Sequence, residues 1–582
     1  MENRWVAGDS ISWDRLPPRV EAAVAARTMQ LPAELRHDLE AASIQGPVFL
    51  ADVVAAARGS TPDAVGGRLA QLTVSPHPLV EYLGTVDAEG RLLDRYRFRH
   101  DVFQRTMEDR ISGPDRARLH EAAGRALADL FAEQLDEVAV DLARHFDAAG
   151  LVDEAIVAHE RAGRRALRLS ATTEAVVHLR RAIELLDGQD ESAARNVHTL
   201  GLLSALGTCL QALAGYNASE THDVYERVRS LIPVVGTTME SAHALGALIA
   251  VDGLRARYGA ATQGAEHLLE MSRTFDAAPI EAVARTQLGW MGLMTARLGE
   301  AGEHLDRAIG MYDDEWDLWL TDAVGFHVAA TALSWRALQR WYSGCPDQAL
   351  CDGERAIESA RRADSPFNLV FALQVAGSTL QEHVRDGPRI LEFSTEAGVV
   401  AEREGFEFYT AASQLHHGLG SCHVGDVHRG LSDLEAGLSR WAELGTRAFR
   451  PWITANSVHF YIADGRLDAA RHALRDVGVW LSDGEERLAA LWLPLARGRI
   501  RRADGDATSA EQVLRAGLTF LLETGAHGVR LRTATELGDL LCDQQRYDEA
   551  REILVPALGA VDGGEDTADV IEARDVLERT ES

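Results

Sequence analysis

The sequence predicts an all-α protein in which a small domain of three helices and a hairpin precedes a long array of paired helices. Three observations lead there. From about residue 110 onward the chain reads as amphipathic helices separated by short Gly-, Asp- and Asn-bearing turns, with few β-rich runs. Those turns recur at a fixed interval. Before residue 110, one stretch, "LVEYLGTVDAEGRLLDRYRFRH", alternates apolar and polar residues as a hairpin does.

Taken in order, residues 31–110 make the small domain. "LPAELRHDLEAAS" (31–43), "PVFLADVVAAA" (47–57) and "TPDAVGGRLAQL" (61–72) read as three short helices, the first opened by Pro32, whose fixed φ and missing N–H suit a helix start. The alternating stretch then turns at "DAEG" into a two-stranded wing, and three helices followed by such a hairpin make a winged helix. Residues 111–187 read as a helical connector with the first repeat helices, and residues 188–582 as the array.

The array shows its period directly. Turns at Gly425, Gly465, Gly505 and Gln545 stand 40 residues apart, with small residues five positions later at Gly430, Ala470, Ala510 and Ala550. Twelve positions after the turn come Gly437, Gly517 and Ala557, and seven before it Gly418, Gly498 and Gly538. The register runs backwards through Arg385, Gly344, Gly299 and Gly259. Small residues at fixed places let paired helices approach closely while Leu and Ile fill the space between them. The predicted architecture is therefore a tetratricopeptide-like α-solenoid with repeats of about 40 residues instead of 34. Ser482 with Glu485 and Ser509 with Gln512 have the spacing of helix-opening capping boxes, and Gly465 and Gly505 suit the left-handed position that closes a helix.

Composition narrows the chemistry. The 582 residues carry 59 basic and 89 acidic side chains, a net charge of −30, and none of the basic ones is lysine. That removes the ordinary G-x-x-x-x-G-K-[ST] phosphate loop, Schiff-base catalysis and a kinase-type Lys–Glu pair, and the acidity opposes non-specific nucleic-acid binding. Five cysteines (Cys209, Cys345, Cys351, Cys422, Cys542) form no C-x-x-C, which argues for free buried thiols. With no run of about 18 apolar residues and no signal-peptide pattern at "MENRWVAGDS", a cytoplasmic location is expected.

Other constellations have plainer readings. His416, His417, Cys422, His423 and His428 gather in "HHGLGSCHVGDVH", but no i, i+4 ligand pair starts from His416 or His417, so packed or solvated histidines are expected instead of a metal site. Trp316, Trp319, Trp335 and Trp341 can line a ligand pocket, although filling space between repeat helices is the favoured reading. Asp313, Asp314 and Glu315 read as a solvated turn. Arg91, Arg95, Arg97, Arg99, Arg105 and Arg110 could face DNA, yet Asp94, Asp101, Glu108 and Asp109 are interleaved with them and weaken the field.

"WDRLPPRVEAAVAAR", "AASIQGPVFLADVVA", "RYRFRHDVFQ", "RARLHEAAGRALADL", "VAVDLARHF", "RAGRRALRLSATTEAVVHLRRAIELL" and "EDTADVIEARDVL" resemble the C-terminal half of bacterial STAND/AAA-type signalling ATPases. In that family an adenylate/guanylate cyclase or transcription-regulator domain and an ATPase precede a winged helix and a tetratricopeptide array. The resemblance implies that residues 1–30 are the linker that follows the ATPase module, and that the ATPase and cyclase parts are missing here. It also implies a role for "FRHDVF": family winged helices carry a histidine that touches the β-phosphate of bound ADP, a place that His100 would take, with Arg99 adding charge.

The functional expectation is a non-catalytic regulatory protein, with no catalytic residue, metal or cofactor of its own, that binds a protein or small effector on its solenoid. It would act in signal transduction on an ATPase or cyclase supplied in trans, with His100 and Arg99 contacting that partner's nucleotide phosphate. Neither nucleic acid nor membrane is an expected partner. The alternatives are a transcription regulator using the winged helix on DNA, or a fragment of an ATP-binding adenylate/guanylate cyclase-type regulator.

Overall fold

The structure, a computed structural model, describes residues 28–74, 78–169, 171–214, 218–313, 316 and 326–581. The chain divides into two compact units, Met1–Leu167 with Val177–Gln189, and Arg168–Val176 with Asp190–Ser582.

The first unit opens with α1 (Ala33–Ser43), β1 (Val48–Leu50), α2 (Ala51–Arg58), α3 (Pro62–Thr73), β2 (Val80–Ala88) and β3 (Arg91–Phe98). The strands form an antiparallel sheet in the order β1-β3-β2, with Phe49 opposite Tyr96 and Tyr82 also opposite Tyr96. "PVFLADVVAAA" is thus not one helix. Its apolar run Val48–Leu50 suits a strand and adds to the free edge of β3, the Pro47 carbonyl accepts the Phe98 N–H at 2.8 Å, and the helix begins only at Ala51. The hairpin turns at Glu89 and Gly90, both with positive φ, and the Gly90 N–H donates to the Asp87 carboxylate at 2.8 Å. Leu35, Leu39, Phe49, Val54, Leu69, Val80, Phe98 and Met107 fill the core behind the sheet. Buried Asp38 accepts from Arg68 at 2.5 Å and 3.1 Å, so its charge is compensated by a two-pronged partner.

Five helices follow: α4 (Asp101–Asp109), α5 (Gly113–Leu130), α6 (Ala139–Ala149), α7 (Val152–Arg168) and α8 (Thr172–Asp187), the last belonging to this unit from Val177 onward. Ser112 caps α5 by accepting the Asp115 N–H at 3.3 Å. Between α5 and α6 the rings of His120 and His145 share one hydrogen at 2.9 Å, Nδ1 to Nδ1, and burial holds their pKa values down at about 4 and about 2.

The second unit is the array. Its helices are α9 (Ala193–Ala214), α10 (Ser219–Val235), α11 (Met239–Leu254), α12 (Tyr258–Phe275), α13 (Ala278–Met294), α14 (Leu298–Gly310), α15 (Val328–Tyr342) and α16 (Pro346–Arg362). Next, α17 (Pro366–Ala372) runs through a π-helical segment (Leu373–Thr379) into α18 (Leu380–Val384). The series closes with α19 (Gly387–Glu404), α20 (Glu407–His423), α21 (Val427–Glu443), α22 (Arg450–Ala463), α23 (Leu467–Asp483), α24 (Leu488–Ala503), α25 (Ala507–Glu523), α26 (His527–Asp543), α27 (Tyr547–Leu558) and α28 (Ala568–Arg579).

Backbone geometry dates each repeat. The turns within pairs carry a left-handed residue at Ala256, Ala296, Gly344, Arg385, Gly425, Gly465, Gly505 and Gln545. The predicted turns at Gly259 and Gly299 fall instead in the first turn of α12 and α14, three residues late, because alanine, not glycine, takes the left-handed position in those two repeats. Ser482 also differs from expectation: it lies in the last turn of α23 and donates to the Val479 carbonyl at 2.7 Å. In the other predicted box Asp506, not Ser509, is the cap, accepting the Ser509 N–H at 3.1 Å.

The small residues do what their spacing implies. A Cβ at Gly418 would lie 2.5 Å from the Gly430 carbonyl oxygen, so α20 and α21 touch backbone to backbone there. Ala470, Ala510 and Ala550 are fully buried at equivalent contacts. The two helices of a pair differ in kind. In α14 one stripe (Leu298, Ala301, Leu305, Ala308) is buried, whereas α13 is buried on every side from Ala282 to Met294. The second type is an inner helix, flanked by neighbours on one side and by the far wall of the array on the other.

That far wall exists because the array coils onto itself. The Ala448 N–H donates to the Leu254 carbonyl at 3.2 Å, Arg487 N–H to Met294 at 2.9 Å, and Asp562 N–H to Gly344 at 2.7 Å. Arg385 reaches Asp569 at 3.0 Å and Glu572 at 2.7 Å. No helix among the described residues is long and apolar enough to cross a membrane.

Candidate ligand cavity

Inside the coil the inner helices leave a cavity of about 140 Å³. Its wall is contributed in sequence order by α9, α11, α13, α15, the α17–α18 segment, α20, α22 and α24, with Trp441 added from α21. One rim is a ladder: Phe326, Phe367, Phe408 and Phe449 all line the cavity and are spaced 41 residues apart, each at or just before the start of an inner helix. Phe449 holds φ at +69°, a left-handed backbone unusual for an aromatic residue, and this directs the chain into α22.

The aromatic walls are ordered. Trp290 and Trp335 stack with centroids 5.2 Å apart and planes within 8°, and Phe449 stacks on both. Phe408 stacks on Trp441 at 5.2 Å, and Trp441 in turn lies 6.4 Å from Phe449. Among the described residues that line the cavity there is no Asp, Glu or Arg. Two histidines line it, and burial pushes both His383 and His416 down to about 4, so each is a neutral ring at neutral pH. Their tautomers follow from their partners. His383 Nδ1 is 2.7 Å from the Thr379 carbonyl and must donate, leaving Nε2 to accept from the Tyr342 hydroxyl at 3.0 Å, whose oxygen accepts the Trp492 indole N–H at 3.0 Å. His416 donates from Nδ1 to the Ala412 carbonyl and accepts the Thr379 hydroxyl at Nε2.

Beside the cavity runs a buried polar layer. Glu382 accepts from His423 and from Asn456, each at 2.9 Å, while Arg532 pairs with Asp569 at 2.7 Å, donates to the His383 carbonyl and lies 4.9 Å over the Trp341 ring. Two polar atoms of the wall have no such partner: the Trp290 indole N–H and the Gln374 amide oxygen, both deeply buried. Gln374 sits in the π-helical segment, and its amide nitrogen is held by Ser413 at 2.6 Å.

Of the sequence candidates, Trp335 lines this cavity, whereas Trp341 packs outside it, stacked on Trp492 at 5.9 Å. Trp316 meets Tyr312 edge to face, and Trp319, Asp314 and Glu315 lie outside the described residues, as do residues 1–27. In the histidine-rich stretch His416 and His423 are held as described, His417 is 3.7 Å from Asp433 and His428 3.2 Å from Asp464. Among the described residues no group of three or more His, Cys, Asp or Glu side chains is placed to hold a metal ion. Cys209, Cys422 and Cys542 are buried as expected, but Cys351 is exposed and Cys345 half-buried, since both lie at or near the start of the outer helix α16.

His100 and Arg99 are exposed, in the first unit, where β3 passes into α4. His100 is the residue preceding that helix, with its ring 6.1 Å from Phe103. Around them Arg91, Arg95 and Arg105 are also exposed, and Arg97 is paired with Glu81 at 2.8 Å. Trp290, Gln374 and the phenylalanine ladder were not among the residues that sequence reasoning selected. The 41-residue spacing of the ladder is the signal that could have found it.

The fold and the cavity define a helical-repeat protein with an internal aromatic chamber. No family model matches the chain. It is similar to an uncharacterised protein of Rhizobium meliloti, 23% identical over 458 residues that make up 76% of this chain and 43% of that protein. The chain thus spans less than half the length of that relative. Similar solved structures include a Rap protein complexed with competence and sporulation factor (12% identity, 74% of this chain and 98% of that one, TM-score 0.34). A signal transduction ATPase with numerous domains and a tetratricopeptide repeat sensor from Pyrococcus horikoshii is another (11% identity, 89% and 66%, TM-score 0.34). Yeast Tom70 is a third (11% identity, 74% and 96%, TM-score 0.30).

Proposed function

We propose that the chain is a non-catalytic regulatory protein whose array is the receptor and whose first unit is the output. The observation that carries this reading is the wall of the cavity: inner helices from α9 to α24 all contribute to it, so early and late repeats share one chamber. A ligand held in a chamber that so many stacked pairs build stabilises one packing of them over others, which is how binding becomes a change of state. On this reading the three helices and sheet of the first unit form a winged helix. His100 and Arg99, both exposed, are free to meet a nucleotide phosphate on an ATPase or cyclase supplied in trans.

Two experiments test the reading. Thermal denaturation against a set of small molecules and peptides spanning neutral, cationic and anionic classes should give at least one stabilising class, by about 2.7 kcal/mol at a hundredfold excess over Kd. Ala412→Trp, which fills the cavity, should abolish that stabilisation. No stabilising class, or stabilisation that survives Ala412→Trp, removes the receptor reading. Turnover of ATP or GTP by the purified chain removes the non-catalytic one. For the output, a cognate ATPase should hold ADP more tightly with the chain present, and His100→Ala should cost that gain roughly tenfold.

A further inference from the structure

We infer that the ligand of this cavity is a small, uncharged, ring-bearing molecule that offers one hydrogen-bond acceptor to the Trp290 indole N–H and one donor to the Gln374 amide oxygen. The inference rests on the receptor reading and specifies its ligand class.

Size comes first. An apolar cavity of about 150 Å³ takes a benzene-sized guest, and this one measures about 140 Å³. Shape follows from the walls: Trp290, Trp335 and Phe449 stack on one another, Trp441 lies 6.4 Å from Phe449 and stacks on Phe408, and this continuous aromatic lining suits a ring. Charge is disfavoured by the described lining. With no Asp, Glu or Arg among the described residues that line the cavity and both histidines neutral, an anion or a cation would be stripped of water with no counter-charge on those residues to meet it.

The two unpartnered atoms set the polar pattern. Most buried donors and acceptors in a folded protein have partners, so an indole N–H and an amide oxygen left without one among the lining residues mark where a guest supplies them. Of the other polar groups of the wall, Thr379 is held by His416, His383 by Thr379 and Tyr342, Gln211 by Tyr225, and the Gln374 nitrogen by Ser413. A sugar, with a hydroxyl on nearly every carbon, or a peptide, with a donor and an acceptor per residue, would arrive with more polar groups than this wall can satisfy.

Calorimetric titration of the full chain with benzamide, toluene and benzoate tests this. The three probes share a ring and differ in carrying an acceptor with a donor, neither, or a charge. Benzamide should bind, toluene about tenfold more weakly, and benzoate not detectably. Trp290→Phe keeps an aromatic wall and removes the donor, so it should weaken benzamide about fivefold and leave toluene unchanged. Gln374→Leu should act the same way from the other side, and it carries the test alone if Trp290→Phe does not fold. Benzoate binding as well as benzamide, no benzamide binding, or variants that weaken benzamide and toluene equally would each overturn the inference. If a charged compound or a peptide stabilises the protein and Ala412→Trp blocks it, the receptor reading stands and the ligand class falls. If no class binds, both fall.

Discussion

Glu486 offers the sharpest test of how the array closes. It lies in the loop between α23 and α24, only 2% exposed, with the Tyr258 hydroxyl 3.4 Å from one carboxylate oxygen and the other oxygen unpartnered. Burial raises its pKa from 4.5 to about 8, against the smaller opposing pull of N–H groups at Phe449 and Trp452 and of Tyr258. The folded protein therefore keeps a proton on Glu486 up to about pH 8, while the unfolded chain gives it up near pH 4.5. Across that window the unfolded state binds fewer protons, so stability falls as pH rises, by about 1.4 kcal/mol per unit from this group. Between pH 5 and pH 7.5 the loss is about 3 kcal/mol. Glu486→Gln cannot titrate. Chemical denaturation of both proteins at several pH values from 5 to 8 should show the variant gaining about 3 kcal/mol on the wild type over this range. Two stability curves that run parallel would refute the argument and mean that water or a counter-charge reaches the carboxyl.

Acid should act in the opposite sense through the cavity histidines. His383 and His416 are held near 4 against an ordinary 6.5, so the unfolded chain takes up their protons first and stability falls as pH drops from 6.5 towards 4. His416→Gln should recover about 2.4 kcal/mol of that loss in denaturation at pH 4.5 relative to pH 7. Ala510 and Ala550 are fully buried in the C-terminal core, and Ala510→Arg or Ala550→Arg should cost several kcal/mol; unchanged denaturation midpoints would show that the contacts are not helix to helix. Deleting Asp543–Ser582 removes Asp569 and Glu572 and leaves Arg385 and buried Arg532 without their carboxylates. Light scattering and thermal denaturation should then report an associating, less stable chain.

The array was legible in the sequence because its cause is local. A left-handed turn residue and small residues at fixed offsets are what a helix pair needs, and they recur wherever the pair does. Where alanine took the turn at 256 and 296, the register slipped by three residues. β1 was missed because a three-residue strand has no period of its own and exists only through pairing with β3. The cavity was harder for another reason. Trp290, Gln374 and Trp441 are brought together by the coil of the array, a property of many repeats acting together that no single repeat encodes. For Trp335 the sequence favours packing, because an aromatic side chain on an inner helix looks the same in sequence whether its far face meets another ring or an open chamber.

Contacts across the coil change how such a chain folds. Repeat arrays usually gain structure pair by pair, since each unit touches only its neighbours. Here the Gly259 N–H meets Glu485 across a sequence separation of 226, Arg385 reaches Glu572 across 187, and Arg532 reaches the His383 carbonyl across 149. Loops of that length must close before those bonds form, which slows folding and ties early and late repeats into one cooperative transition. During synthesis the repeats up to α18 emerge well before the segments that cover them, so their inner faces wait for the last helices before the chamber is shut.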